Sequence, residues 1–187
     1  MGVRFPVRFI AALIALALAI VVAPRLLRAQ DSNAEKARSL VAAAIKMSNS
    51  DEAVKLLWQA TEIDPSLDDA YVYLGFYYNS RSDFANVVKV YEKLVKYEPT
   101  QVSAYLNVGE AYMSYSPPRT DDALVWYRKA YQVDPKNSFA ALRIGQLLSQ
   151  NGSRDEAVKY LRQALADTSS PDNSAKAEKT LREMGAL

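Results

Sequence analysis

The chain has 187 residues, half of them hydrophobic by count, and a formal charge of +2. It contains neither Cys nor His, which excludes disulfides, thiolate or imidazole metal sites, and Ser-His-Asp or Cys-His nucleophiles. The positive sign is local. Arg4, Arg8, Arg25 and Arg28 fall in the first 28 residues, and the remainder sets 19 basic against 21 acidic groups, so no nucleic-acid partner is expected.

Residues 1–29 read as a leader. Phe9 to Ala23 is an uncharged apolar run preceded by Arg4 and Arg8 and followed by Pro24 and Arg25, the pattern of a secretory signal peptide. Ala29 offers a cleavage point, although Leu27 departs from the small residue preferred two positions earlier. The same stretch also reads as an uncleaved anchor. The 16 residues between Arg8 and Arg25 give a helix of roughly 24 Å, short of the roughly 30 Å hydrocarbon layer unless both arginines snorkel. Either reading exports the rest of the chain, if the anchor keeps its N-terminus inside, and a periplasmic location is expected for a bacterial leader. Contact with a membrane is expected only through residues 9–23, and only if the leader is retained.

From residue 34 onward the chain repeats. Asp64-Pro65 returns as Glu98-Pro99 and as Asp134-Pro135, at intervals of 34 and 36. A period this long marks a stack of supersecondary units rather than one globular core. The prolines divide the chain into units at 34–67, 68–101, 102–137 and 138–171. Each unit reads as two amphipathic helices, A and B. In the second unit Tyr71, Leu74, Gly75 and Tyr78 follow i, i+3, i+4, i+7 on helix A, and Val87, Val88, Tyr91 and Leu94 form the stripe of helix B. Gly75 and Gly109 recur at the same phase in mid-helix, where glycine costs about 1 kcal/mol against alanine, and so predict close helix A–helix B packing. The third unit carries two extra residues between its helices, in 114–120 around Pro117-Pro118. The loop growth is tolerable at a surface, and a stiff Pro-Pro turn could also project Tyr115 and Arg119 as a contact. The tail 172–187 predicts a capping helix, with Asp172 or Asn173 as N-cap, Gly185 at its end and Ala177, Leu181 and Met184 as its apolar stripe.

These residues resemble the tetratricopeptide repeat family. The third unit matches its pattern with Tyr105, Val108, Gly109, Tyr112, Ala123, Tyr127, Ala130 and Pro135. The second matches with Tyr71, Leu74, Gly75, Tyr78, Val87, Tyr91, Leu94 and Pro99. The fourth has Ala141, Ile144, Gly145, Leu148, Ala157, Leu161 and Ala164 but Ser169 in place of the proline. The first keeps Ala53, Leu57, Ala60 and Pro65 on helix B and is weaker on helix A. The resemblance implies an all-α, right-handed solenoid of four repeats plus a C-terminal capping helix.

It also implies a protein or peptide partner bound in a concave groove lined by the A helices, with neither a cofactor nor a metal. By phase, the groove residues are Val72, Tyr73, Phe76, Asn79 and Ser80 in the second unit, and Leu106, Asn107, Glu110 and Met113 in the third. The fourth supplies Leu142, Arg143, Gln146 and Gln150. Tyr73, Phe76 and Met113 among polar neighbours have the makeup of a binding hot spot, and Tyr77 falls outside the phased core as well. The charged clamp by which one subgroup of the family holds chaperone C-termini is not matched. The corresponding positions are Arg38, Ala42, Tyr73, Ser103 and Asn107, of which Arg38 alone keeps the charge needed to grip a carboxylate. The carboxylate pairs Asp68-Asp69 and Asp121-Asp122 fall at helix starts, where they complement the helix dipole rather than form a catalytic dyad. The expected function is therefore non-catalytic binding in an exported or envelope complex. Self-association through the convex face or the solenoid ends is the alternative.

Overall fold

The computed structural model describes residues 30–47 and 50–187; the expected leader, 1–29, lies outside the described residues. Helix α1 covers 30–46. It is followed by α2 (Asp51–Ile63), α3 (Asp68–Asn79), α4 (Phe84–Tyr97), α5 (Val102–Met113) and α6 (Thr120–Val133). Then come α7 (Ser138–Gln150), α8 (Arg154–Leu165) and α9 (Pro171–Glu183). The described residues contain no strand, and no described helix is long and apolar enough to cross a membrane.

Local chemistry fixes where these helices begin and end. Ser50, Asp83 and Asn137 are N-caps whose side-chain oxygens accept from the backbone N–H groups of Ala53, Asn86 and Ala140, each satisfying a donor the helix leaves open. The Asp-Pro signature proves to be a turn device. Asp64 and Asp134 accept from the N–H of Ser66 and Lys136 at 3.1 and 3.0 Å, closing Asx turns beneath the helix ends. The fourth repeat keeps the device without proline, since Asp167 accepts from the N–H of Ser169 at 2.9 Å. Asp167 follows Asp134 by 33 residues, so Thr168, not Ser169, stands at the proline position. Hydrogen bonds from Ser138 and then Ser169 hold the Asp167 carboxyl below its ordinary range.

The chain divides into two compact units between Ala70 and Tyr71. In the first, α1 buries Ala37, Val41 and Ala44, and α2 buries Ala53, Leu57 and Ala60. Both stripes have helical spacing, and their small side chains suit close contact. In the second, Tyr71–Leu187, each helix from α4 onward packs on the next, and α7 also meets α9. The mid-helix glycines lie where two helices touch. A Cβ built on Gly75 would come 2.3 Å from the Tyr91 hydroxyl, on Gly109 2.5 Å from a Tyr127 ring carbon, and on Gly145 2.6 Å from Leu161 Cγ. The glycines therefore exist to admit a large side chain of helix B against the backbone of helix A.

The terminal helix does cap. Ala177 and Leu181 of α9 are fully buried with Ala141, Leu142, Leu161 and Ala164, and Met184 packs on the same cluster. Its start differs from the expectation. Pro171 is itself the first helical residue, a position that suits its fixed φ and missing N–H, so the N-cap is Ser170 rather than Asp172 or Asn173. Gly185, at φ 62°, ends it as expected, with the Ala186 N–H donating to Leu181 O at 2.9 Å.

Among the described residues, two helix A–helix B turns use a left-handed residue. Gly152 provides it in the fourth repeat at φ 78°, while the second uses Ser82 at φ 55°, which strains a side chain that glycine lacks. Ser82→Gly should therefore raise the unfolding free energy by about 0.5–1 kcal/mol, measured as a higher denaturant midpoint at an unchanged slope.

Candidate functional site: the helix A face of residues 71–187

Helices α3, α5 and α7 present the A face of the second unit. Its main feature is a cavity of about 390 Å³, lined by Val72, Gly75, Phe76 and Asn79 of α3 and by Val87 and Tyr91 of α4. Asn107, Glu110 and Ala111 of α5 complete it with Ser114. Phe76 and Val72 are 66% and 55% exposed, unusual for large apolar side chains that have a neighbouring core available to them. Gly75 contributes by absence, since its missing side chain lets the Tyr91 ring reach the α3 backbone and form one wall.

Five of the residues expected in the groove line this cavity: Val72, Phe76, Asn79, Asn107 and Glu110. Met113, Arg143 and Gln146 instead line a small cleft of about 30 Å³ with Tyr127, Leu147 and Gln150. Tyr73 is exposed beside the cavity without lining it. Leu106 and Met113 pack against the cluster of Ala123, Tyr127 and Ile144. Two further residues of the A-face reading are buried. Leu142 is only 2% exposed and joins Leu161, Ala177 and Leu181, because α7 is covered by α9 as well as by α8. Tyr77 is 7% exposed, meets Tyr78 edge to face at 5.2 Å and carries the Arg81 guanidinium 3.7 Å above its ring.

The two charges expected to meet a partner meet each other. Arg143 of α7 donates from Nε to Glu110 Oε1 of α5 at 2.7 Å and from Nη2 to Oε2, a bidentate fork across 33 residues of sequence. The Tyr127 hydroxyl donates to the same Oε1 at 2.5 Å from beneath. Burial first, and then this hydrogen bond to the carboxylate, push the Tyr127 phenol well above its ordinary value. The triad ties α5, α6 and α7 together. Glu110 faces the larger cavity and Arg143 the smaller cleft.

The 114–120 loop folds back on its own repeat and on the start of α4. The Tyr112 and Tyr115 rings stack 6.1 Å apart, Phe84 lies 5.8 Å from Tyr115, and the Arg119 guanidinium sits 4.8 Å from the Tyr112 centroid. Arg119 Nε also donates to Asp122 at 2.8 Å. Tyr115 and Arg119 are thus engaged within the chain.

A second recess, about 350 Å³, lies between Val95, Tyr105, Trp126, Lys129, Gln132 and Val133. The Lys129 ammonium lies 3.7 Å above the Trp126 ring, a cation–π contact. No group of three or more acidic side chains among the described residues could hold a metal ion.

Comparison with known proteins agrees with this architecture. A tetratricopeptide repeat family model matches residues 140–166. The chain is 26% identical over 123 residues to tetratricopeptide repeat protein 21B of Mus musculus, a match covering 65% of this chain and 9% of that protein. The chain thus spans under a tenth of that relative's length. Among solved structures, MamA protein is similar at 24% identity and TM-score 0.56, covering 84% of this chain and 80% of that one. A thermophilic TPR protein of Thermus thermophilus is similar at 21% identity and TM-score 0.56, covering 80% and 84%. The TPR2B domain of yeast Sti1, solved in complex with pHsp70, is similar at 20% identity and TM-score 0.54, covering 62% and 93%. The fold is the all-α tetratricopeptide repeat fold, helix pairs in succession closed by a capping helix.

Proposed function

We propose that this chain is a non-catalytic binding module that takes a protein or peptide segment on the helix A face of residues 71–187. The observation that carries this reading is the 390 Å³ cavity with Phe76 and Val72 left exposed at its mouth. A concave site of this size, apolar with a few convergent polar groups, is the usual form of a binding pocket, and exposed aromatic anchors are where binding energy concentrates. The similar Sti1 domain was solved with pHsp70. Of the clamp positions only Arg38 keeps its charge in this chain, so two-point capture of a carboxylate is not the mode of binding we propose. The export signal read in residues 1–29 supports a role in the cell envelope, in an assembly that the module helps to organise.

The test is retention of a partner from envelope extract by the chain and by a Val72→Ser, Phe76→Ala, Asn107→Ala variant that leaves Glu110 and Arg143 intact. Equal helicity by circular dichroism is the control. Loss of the partner by the variant supports the groove, and equal recovery removes it. For Phe76→Ala alone, a drop of about tenfold in affinity is expected, checked by titration with the recovered partner.

Self-association is the second reading, favoured by the Trp126 recess and by the exposure of Val125 on the same helix. Sedimentation over a concentration series tests it. A monomer mass throughout the series rules it out.

A further inference from the structure

We infer that the 390 Å³ cavity accepts an uncharged peptide stretch through a large apolar side chain, and that Arg143 sets this choice by neutralising Glu110. The inference rests on the peptide-binding reading above and names the chemistry of its partner. Among the described residues lining the cavity, Glu110 is the one charged side chain. Its carboxylate is already held at both oxygens by the Arg143 fork and at Oε1 by the Tyr127 hydroxyl. A cationic partner would therefore compete with a preformed bidentate pair, and an anionic one would meet Glu110 with no unmatched cation to offset it. The other polar groups of the lining, including the amides of Asn79 and Asn107, are neutral, and amides both donate and accept, as a peptide backbone requires. The walls from Val72, Phe76, Val87 and Tyr91 are apolar.

Arg143 is thus a specificity-setting residue that acts through Glu110 from the neighbouring cleft. Removing either partner leaves the other charge uncompensated in a half-enclosed site. The preferred partner charge should then invert, in opposite directions for the two substitutions.

The experiment uses the full chain, labelled, on an array of dodecapeptides of Ser, Gln and Leu with one position set to Phe, Lys or Glu. The native chain should retain the Phe peptides about tenfold over the Lys and Glu peptides. Retention should change by less than about twofold between roughly 0.05 and 0.5 M salt. Arg143→Gln should raise the Lys-to-Phe ratio about tenfold, and Glu110→Gln should raise the Glu-to-Phe ratio similarly, since each exposes one partner of a charge-assisted pair. The double variant should return both ratios toward native values. Either single variant tests the inference if the other fails to fold. A native chain that prefers Lys or Glu peptides, or single variants whose ratios stay within about twofold of native, would overturn the inference while leaving peptide binding in place. If the native chain retains no peptide better than Phe76→Ala does, peptide binding in this cavity is itself refuted and the inference falls with it.

Discussion

Tyr127→Ala is expected to lower the unfolding free energy by about 3–5 kcal/mol. The ring is fully buried in the cluster of Ala123, Ile144, Leu147, Leu148 and Ala157, with Leu106 and Met113 packed around it. Truncation leaves a hole bounded by Gly109, which has no side chain to fill it. It also removes the donor beneath Glu110. Tyr127→Phe separates the two contributions, because it keeps the ring and should cost about 1.5–3 kcal/mol for the lost hydrogen bond to a carboxylate. The sign of the alkaline response follows from the raised phenol pKa. The unfolded chain releases this proton near pH 10 and the native chain holds it, so Tyr127 stabilises fully below about pH 10 and its contribution is lost as pH rises further. Denaturant midpoints between about pH 9 and 11 should therefore fall less steeply in Tyr127→Phe than in the native chain. The slope should not vanish, since burial also raises Tyr91. A loss below about 1 kcal/mol for Tyr127→Ala would mean the ring is not closely packed.

Helix geometry explains both the legible and the hidden parts of this fold. Tyr71, Leu74 and Gly75, or Val108 and Gly109, are legible in the sequence because each sits on the stripe facing helix B of its own repeat. That contact is local in sequence and recurs with the 34-residue period. The second contact of each helix A, with the next repeat, has no such signature. Leu142 is buried because α9 reaches α7, and Leu106 and Met113 pack on the α6–α7 cluster; phase within one helix cannot show either. The Glu110–Arg143 fork is hidden for the same reason. Both residues lie on the expected face, but their pairing joins third and fourth repeats across 33 residues, and two polar residues on one face read equally well as partner contacts. Glu110 one residue after the mid-helix Gly109 and Arg143 two residues before Gly145 stand about one helical turn apart in phase on successive A helices, and that offset of opposite charges is the signal that could have suggested it. The cavity is legible in half its lining, because Val72, Phe76, Asn79, Asn107 and Glu110 come from A helices. Val87, Tyr91 and Gly75 belong to the packing stripe, which by phase points to the core alone.

The glycines set helix propensity against packing, and the outcome should differ between repeats. Propensity alone favours Gly109→Ala by about 1 kcal/mol. Its Cβ, however, would lie 2.5 and 2.8 Å from two Tyr127 ring carbons, well inside the roughly 3.5–4.0 Å of a comfortable carbon contact. Tyr127 cannot retreat, being enclosed by Ile144, Leu147 and Leu148 and held by Glu110 through its hydroxyl. Overpacking of this kind costs about 1–3 kcal/mol, so the net expectation is a loss of up to about 2 kcal/mol in unfolding free energy. Gly145→Ala should lose as well, because a Cβ there meets Leu161 Cγ at 2.6 Å and the Ala157 carbonyl at 3.2 Å, and the carbonyl is backbone. Gly75→Ala should behave differently even though its Cβ makes the shortest contact of the three, 2.3 Å to the Tyr91 hydroxyl. Tyr91 lines the open cavity, so its ring can swing into empty space, and the propensity gain should roughly cancel the repacking cost, leaving stability within about 0.5 kcal/mol of native. The ring that moves would then occupy the volume proposed for the partner's apolar side chain, so Gly75→Ala should cut peptide retention while leaving the melt almost unchanged. Gly109→Ala should do the reverse, lowering the denaturant midpoint with less effect on retention. If Gly109→Ala instead stabilises the chain by about 1 kcal/mol, helix propensity rather than contact with helix B governs this position, and the recurrence of glycine at this phase loses its packing explanation.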